Sequence, residues 1–262
     1  NIIMNKKYIY TIGYTLFQQG NSINIENLFE TLKKYNINFL VDVRSVPFSK
    51  QYPQCNADNM KIAGKKFGIP YINMPEIGAK ASSQQDVFSK ASDIFFENEV
   101  FPIHKSYRPE KTELLSSEEI VDFRKFRHEE YFISGLKRIE DAYDKEFTLC
   151  LMCSEKKPID CHRYFLISKA LEQRFGDWLE VRHIVENANG CIGYISNPDL
   201  DKQLEDFVCE KKQVLIPMFK ENILDNYFGE TEQDKLKDFC DRYWNLLHGW
   251  KRFNYNKNEN YD

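Results

Sequence analysis

Residues 148–168 read TLCLMCSEKKPIDCHRYFLIS. An apolar run of strand type ends at Cys153, a polar turn follows, and Cys161-His162-Arg163 opens a second apolar run of helical type. A thiol at a strand end, near helix amides and the Arg163 guanidinium, is placed to ionise early and act as a nucleophile. Glu155 can serve as a general acid or base, and so can His162, whose imidazole ordinarily titrates near neutrality. Backbone N–H groups where the helix begins at Cys161 favour anions, as does Arg163. The same residues also admit a structural reading, in which they knit this loop to a neighbouring turn.

Other chemistries fit this stretch less well. Cys153, Cys161 and His162 offer three metal donors, yet adjacent residues rarely hold one ion and no second cluster follows at zinc-site spacing. No metal or other cofactor is therefore expected. A cysteine-phosphatase loop needs a shorter Cys-to-Arg spacing than the stretch from Cys153 to Arg163 provides. Cys150 and Cys153 match a CxxC pattern, but residues three apart on a strand point to opposite faces. Cys150 thus reads as a small core hydrophobe.

Three other strand-like runs end in polar residues. Thr11-Ile12-Gly13-Tyr14-Thr15 supplies hydroxyls around a glycine that permits a tight turn or close approach to a ligand. Asp42-Val43-Arg44-Ser45-Val46-Pro47 puts an acid and a guanidinium on the same side of a strand. That pair either aims Arg44 at an anion or is a structural salt bridge. Pro75 to Lys80 ends in a lysine that could reach an anionic ligand or be a solvated surface residue. Candidate substrate-binding residues are therefore Thr11, Gly13, Tyr14, Asp42, Arg44, Ser45, Lys80, Cys161 and Arg163, with Cys153, Glu155 and His162 as candidate catalytic residues. His183 has apolar neighbours and reads as a core histidine.

The elements that must position these residues follow from periodicity. Short apolar, β-branched runs at 8–12, 39–43, 71–74, 147–152 and 181–185 read as five strands. Ile25, Leu28, Phe29 and Leu32 mark a helix between the first two. A second helix spans about 57–67 and stops at Gly68-Ile69-Pro70. Helical faces at Phe132, Leu136, Ile139 and Tyr143 and at Phe165, Ile167, Ala170 and Leu171 flank the fourth strand. Alternating strands and helices imply an α/β fold, a mostly parallel sheet of about five strands flanked by helices. Ligands of such sheets bind beyond the carboxyl ends of the strands, where the candidate residues fall.

Residues 1–190 read as the core domain, interrupted at 82–125 by an insertion with helical pieces and no strand. Ser116-Ser117-Glu118-Glu119 has capping-box spacing and predicts a helix start. Aromatic residues Phe95, Phe96, Phe101 and Tyr107 stand there beside Lys105, Arg108 and Lys111. That mixture either stacks nucleic-acid bases or forms a satellite core. Residues 191–262 read as a helical extension packed on the core, with helical patterns from about 198 and again around 234–247.

With 42% hydrophobic residues a sizeable core can form, while a net charge of −4 argues against non-specific coating of nucleic acid. No apolar run approaches the roughly 20 residues of a membrane span, and the N-terminal NIIMNKKYIYTIG lacks signal-peptide layout. Seven irregularly spaced cysteines fit a reducing cytoplasm better than a disulfide framework.

TIGYT, DVRSVPFSK, IGAK and LMCSEKKPIDCHR, in that order and followed by HI, resemble the bacterial family called domain of unknown function 488. The likeness covers about 7–80 and 126–186. It implies an α/β fold with one shared pocket and names no reaction. The matching motif positions are Thr11, Gly13, Asp42, Arg44, Pro47, Cys153, Glu155, Cys161, His162 and Arg163. A looser similarity to rhodanese-like domains rests on the Asp-x-Arg strand end and the strand–cysteine–loop–helix unit. Three readings stay open: an enzyme acting on an anionic small molecule or nucleic-acid fragment, a binding module for the same ligands, and a structural loop.

Overall fold

The computed structural model describes residues 6–80, 86–95, 100–102, 113–115, 117–215 and 227–257, with side chains left undescribed at 100–102, 113–115, 208–215 and 250–257. The chain divides into two compact units, one of residues 1–79 and 130–197 and the other of 80–129 and 198–262.

The first unit is an α/β layer. Strand β1 (Lys7–Gly13) leads to helix α1 (Ile25–Lys34), β2 (Phe39–Asp42), α2 (Ala57–Phe67) and β3 (Tyr71–Asn73). After residue 129 the chain forms α3 (Glu130–Asp144), β4 (Leu149–Cys153), α4 (Lys169–Phe175), β5 (Leu179–Glu186) and β6 (Ile192–Ser196). The sheet has six strands in the order β6-β5-β1-β4-β2-β3. All neighbours are parallel except β5 and β6. The sequence pattern predicts only five of these strands. The sixth, Ile192–Ser196, follows a tight turn at Asn187–Gly190 and alternates half-exposed residues, so no continuous apolar run announces it.

Local signals explain most of these elements. Asn24 caps α1, its side chain accepting from the Asn27 N–H, while Glu26 and the Lys33–Lys34 pair suit the two ends of the helix dipole. Leu28, Phe29 and Leu32 are fully buried, each worth about 1.5–3 kcal/mol of apolar burial. Gly68 ends α2 in the left-handed region at φ 75°. The core beneath α1 and α2 joins Ile12, Leu40, Met60, Cys150 and Met152.

Register brings the functional strand ends level. Gly13 pairs with Cys153, and Met152 pairs with Asp42. Beyond β4 the chain makes a short 3₁₀ turn (Pro158–Asp160) and then a π-helical segment (Arg163–Ser168) that runs into α4. The Ser168 hydroxyl donates to the Arg163 carbonyl at 2.5 Å, spanning the widened turn. Such π segments recur at functional sites.

The second unit departs from the sequence expectation. Glu119–Val121 is a strand paired antiparallel with Phe88–Lys90, not the start of a helix; Ser116 lies outside the described residues. Val100–Pro102 pairs with Glu113–Leu115. The insertion therefore contains strands, since Ile120 and Val121 are buried by pairing and packing that override the capping signal. The actual cap is Asp122, whose carboxylate accepts from the Arg124 N–H of a one-turn helix, Phe123–Phe126. The insertion and the C-terminal helix Glu232–Lys257, read apart in the sequence, pack together. Asn245 accepts from the Phe123 N–H at 2.8 Å and donates to the Val121 carbonyl at 2.8 Å. Phe95 is buried against Phe239 and Tyr243, which matches the satellite-core reading for that residue. Phe96, Lys105, Tyr107, Arg108 and Lys111 lie outside the described residues, and of Phe101 only the backbone is described. Among the described residues, no helix is long and apolar enough to cross a membrane.

Candidate active site at the carboxyl edge of the sheet

Four side chains from the turn after β4 meet in one cluster. The Cys153 sulfur lies 2.8 Å from Glu155 Oε2 and 3.8 Å from His162 Nδ1. The Cys161 sulfur lies 3.2 Å from the same carboxylate oxygen and 3.8 Å from the same nitrogen. Cys153, Cys161 and His162 are buried, and Glu155 is half-buried. The six described cysteines are free thiols.

Their backbone explains the convergence. Cys161 is extended, at φ −125° and ψ 143°, and His162 is already helical, at φ −60° and ψ −20°. The switch lets two adjacent side chains face the same sulfur. The other ring nitrogen of His162, Nε2, lies 3.1 Å from the Val43 carbonyl oxygen. An acceptor there favours a proton on Nε2 and turns Nδ1 toward the two sulfurs.

The two thiols diverge electrostatically. A hydrogen bond from Cys161 pulls Cys153 below the ordinary thiol value, aided by His162 and opposed by burial and the Glu155 charge. Burial and the contact with Cys153 hold Cys161 well above the ordinary thiol value.

Asp42 and Arg44 do share one side of the strand end and form a buried ion pair. Arg44 Nε and Nη2 donate to the Asp42 carboxylate at 2.9 Å and 2.5 Å, and Nη2 also donates to the Cys55 carbonyl at 2.7 Å. Burial pulls the Arg44 pKa down, but the hydrogen bonds and charge of Asp42 outweigh it and raise it. Arg44 Nη1 is buried with no hydrogen-bond partner among the described residues. The Tyr14 ring lies 5.2 Å from the guanidinium. Burial raises the Tyr14 pKa, and its hydroxyl senses both Arg44, which lowers it, and Cys153, which raises it.

Arg163 is placed differently from the expected anion contact. It is fully buried, and its Nη1 and Nη2 donate to the carbonyls of Glu155 and Lys156 at 2.6 Å and 3.1 Å. It holds the loop in shape. At Gly13 the close approach is made by the protein's own backbone: a Cβ there would collide with the Glu155 carbonyl oxygen. The Thr11 hydroxyl accompanies His183 Nδ1 at 2.7 Å, and His183 Nε2 meets Asn197 Oδ1 at 2.7 Å. Thr11 thus belongs to a buried chain on the far side of β1 from β4, and His183 is a core histidine, as its apolar neighbours imply. Ser45 is half-buried against Gly78, and Lys80 is exposed and falls in the second unit.

Sequence reasoning missed Tyr71 and the carbonyls of Val43 and Cys55. Tyr71 donates to Asp42 Oδ2 at 2.5 Å across the β2–β3 pair. Nothing local in the sequence marks it, because only strand register brings it to Asp42. A cleft of about 400 Å³ lies instead at the opposite edge, lined by Lys7, Tyr10, Tyr35, Tyr143 and Thr148 at the amino ends of the strands. It holds none of the cluster residues.

No curated protein and no solved structure matches this chain. The family described as Domain of unknown function DUF488 matches residues 24–170, more than half of the 262-residue chain. The matched segment takes in the Asp42–Arg44 strand end and the whole Cys153–Arg163 turn. This chain therefore belongs to the DUF488 family.

Proposed function

We propose that the protein is an enzyme, a hydrolase or transferase, acting on a small anionic substrate beyond the carboxyl ends of β4 and β2. The carrying observation is the meeting of Cys153, Glu155, Cys161 and His162 within 2.8–3.8 Å contacts. A purely structural loop has no need to concentrate two thiols, a carboxylate and an imidazole. Glu155, as the half-buried member, exchanges protons with substrate or water. Arg44 supplies positive charge, and its buried, unpartnered Nη1 is a donor that a phosphate or carboxylate oxygen would satisfy. Tyr14 flanks it.

The test is turnover of a panel of nucleotides, phosphomonoesters and carboxylate esters by the purified chain, its Glu155→Gln variant and its Arg44→Lys variant. Loss of a proton-transfer group should lower kcat by about 10²–10⁴-fold. Arg44→Lys should raise KM, since lysine cannot reproduce the guanidinium fork. Both proteins should keep cooperative thermal unfolding. If they unfold, or if no member of the panel is turned over, the structural reading replaces this one. The loop contacts of Arg163 and His162 are what favour that second reading.

A further inference from the structure

The donor set of the cluster has a property that proton transfer does not require. Cys153 Sγ, Cys161 Sγ and His162 Nδ1 all lie within 4.8 Å of one another, and all three residues are buried. Both sulfur-to-nitrogen separations are 3.8 Å. For a tetrahedral zinc ion with Zn–S near 2.3 Å and Zn–N near 2.0–2.1 Å, that edge is roughly 3.5–3.6 Å. The two sulfur-to-nitrogen edges thus need to shorten by only a few tenths of an ångström.

We infer that Cys153, Cys161 and His162 form a site for a thiophilic divalent cation of the zinc class. The adjacency of Cys161 and His162 in the sequence argues against such a site. The change from extended to helical backbone between them removes that objection. A second observation points the same way. The Val43 carbonyl takes the Nε2 side of His162 at 3.1 Å and so holds the ring with Nδ1 turned toward the sulfurs. Metal-bound histidines are held from behind in this manner. Two sulfurs and an imidazole select zinc-like ions over magnesium or calcium, which prefer oxygen.

Three protein donors leave one position of a tetrahedral ion open, as in catalytic zinc sites. Glu155 touches both sulfurs, so its carboxylate belongs to the immediate surroundings of such an ion. On binding, the ligating thiols release their protons, to Glu155 or to solvent, and both sulfurs bind as thiolates. The inference rests on the location argued under Proposed function but not on turnover. With the ion in place Cys153 is a ligand and not an attacking group, while Glu155 keeps the proton-carrying part.

The test uses the whole chain, stripped with a chelator and titrated with Zn²⁺ or Co²⁺. We expect one equivalent of either ion to bind, and the Co²⁺ form to show thiolate-to-cobalt charge transfer with tetrahedral d–d bands. Zn²⁺ should protect Cys153 and Cys161 from alkylation at least tenfold, read by peptide mass mapping, while exposed Cys191 stays reactive. Cys161→Ser should lose most of the charge-transfer intensity. Because that variant can fail to fold, the protection measurement is made on the unaltered protein. Glu155→Gln should retain the Co²⁺ spectrum while losing turnover, which separates failure of this inference from failure of the enzyme reading. Absence of a bound equivalent, or alkylation of Cys153 and Cys161 unaffected by Zn²⁺, would overturn the inference. A charge-transfer band that survives Cys161→Ser would place the ion elsewhere and overturn it equally.

Discussion

His162 Nε2 lies 3.1 Å from the carbonyl oxygen of Val43, joining the turn after β4 to the end of β2. The contact ties the thiol cluster to the Asp42–Arg44 strand end. His162→Ala should leave that carbonyl short of a partner and empty the space behind the two sulfurs. The expected loss is about 2–4 kcal/mol, from an unmet hydrogen bond and a cavity together. Urea denaturation checks it, and a change below about 0.5 kcal/mol would show that the link carries no stability.

Gly13 is a matter of contact, since its φ of −103° suits any residue. Gly13→Ala would drive its methyl group into the Glu155 carbonyl and toward Arg163 Nη1. The backbone carbonyl cannot rotate away, so the expected destabilisation is about 3 kcal/mol or more. Gly20, at φ 58° with nothing within 4 Å of where a methyl group would stand, provides the contrast. Gly20→Ala should lose only about 1 kcal/mol, from backbone conformation alone. Thermal unfolding of the two variants side by side reads the difference.

The ion pair of Asp42 and Arg44 is desolvated, with Tyr71 hydrogen-bonded to the same carboxylate. Asp42→Asn removes the countercharge and leaves a buried guanidinium, for an expected loss of about 3–5 kcal/mol. Tyr71→Phe removes one hydrogen bond to a charged acceptor, about 1.5–3 kcal/mol. Neither loss should change much between low and high salt, because screening acts weakly on buried pairs. A strong salt dependence in denaturation midpoints would argue that the pair is solvated.

Burial pushes the Cys55 thiol up from 9.0 to about 12, although Arg44 opposes the shift. At neutral pH an alkylating reagent should therefore modify exposed Cys191 while Cys55 stays silent until the chain unfolds. The raised value also sets a pH dependence. Above pH 9.0 the unfolded chain ionises Cys55 and the native state does not, so stability present below that pH declines through the window up to about 12. Cys150, fully buried and shifted the same way, adds to the slope. Cys55→Ala should flatten the decline measured by chemical denaturation at about pH 8–11; an unchanged slope would count against the shift.

Much of this protein is written locally. The period of Ile25, Leu28, Phe29 and Leu32 is enough for α1, and the apolar runs around Leu40 and Leu151 are enough for two central strands, because these signals need no distant partner. The parallel sheet follows from strand–helix alternation, and the position of Asp42, Arg44 and Cys153 at strand ends follows from the sheet. Glu119–Val121 and Ile192–Ser196 do not follow, since short strands owe their form to the strand they pair with.

Roles within the cluster belong to the tertiary structure. Sequence order names Cys153, Glu155, Cys161, His162 and Arg163 but does not say that the first four face one another while Arg163 turns away to hold carbonyls. Nor does it place Tyr71 on Asp42 or the Val43 carbonyl behind His162. The physical reason is range. Periodicity and strand ends are properties of neighbouring residues, whereas a hydrogen bond to a carbonyl more than a hundred positions away exists only once register and loop path have been set by packing.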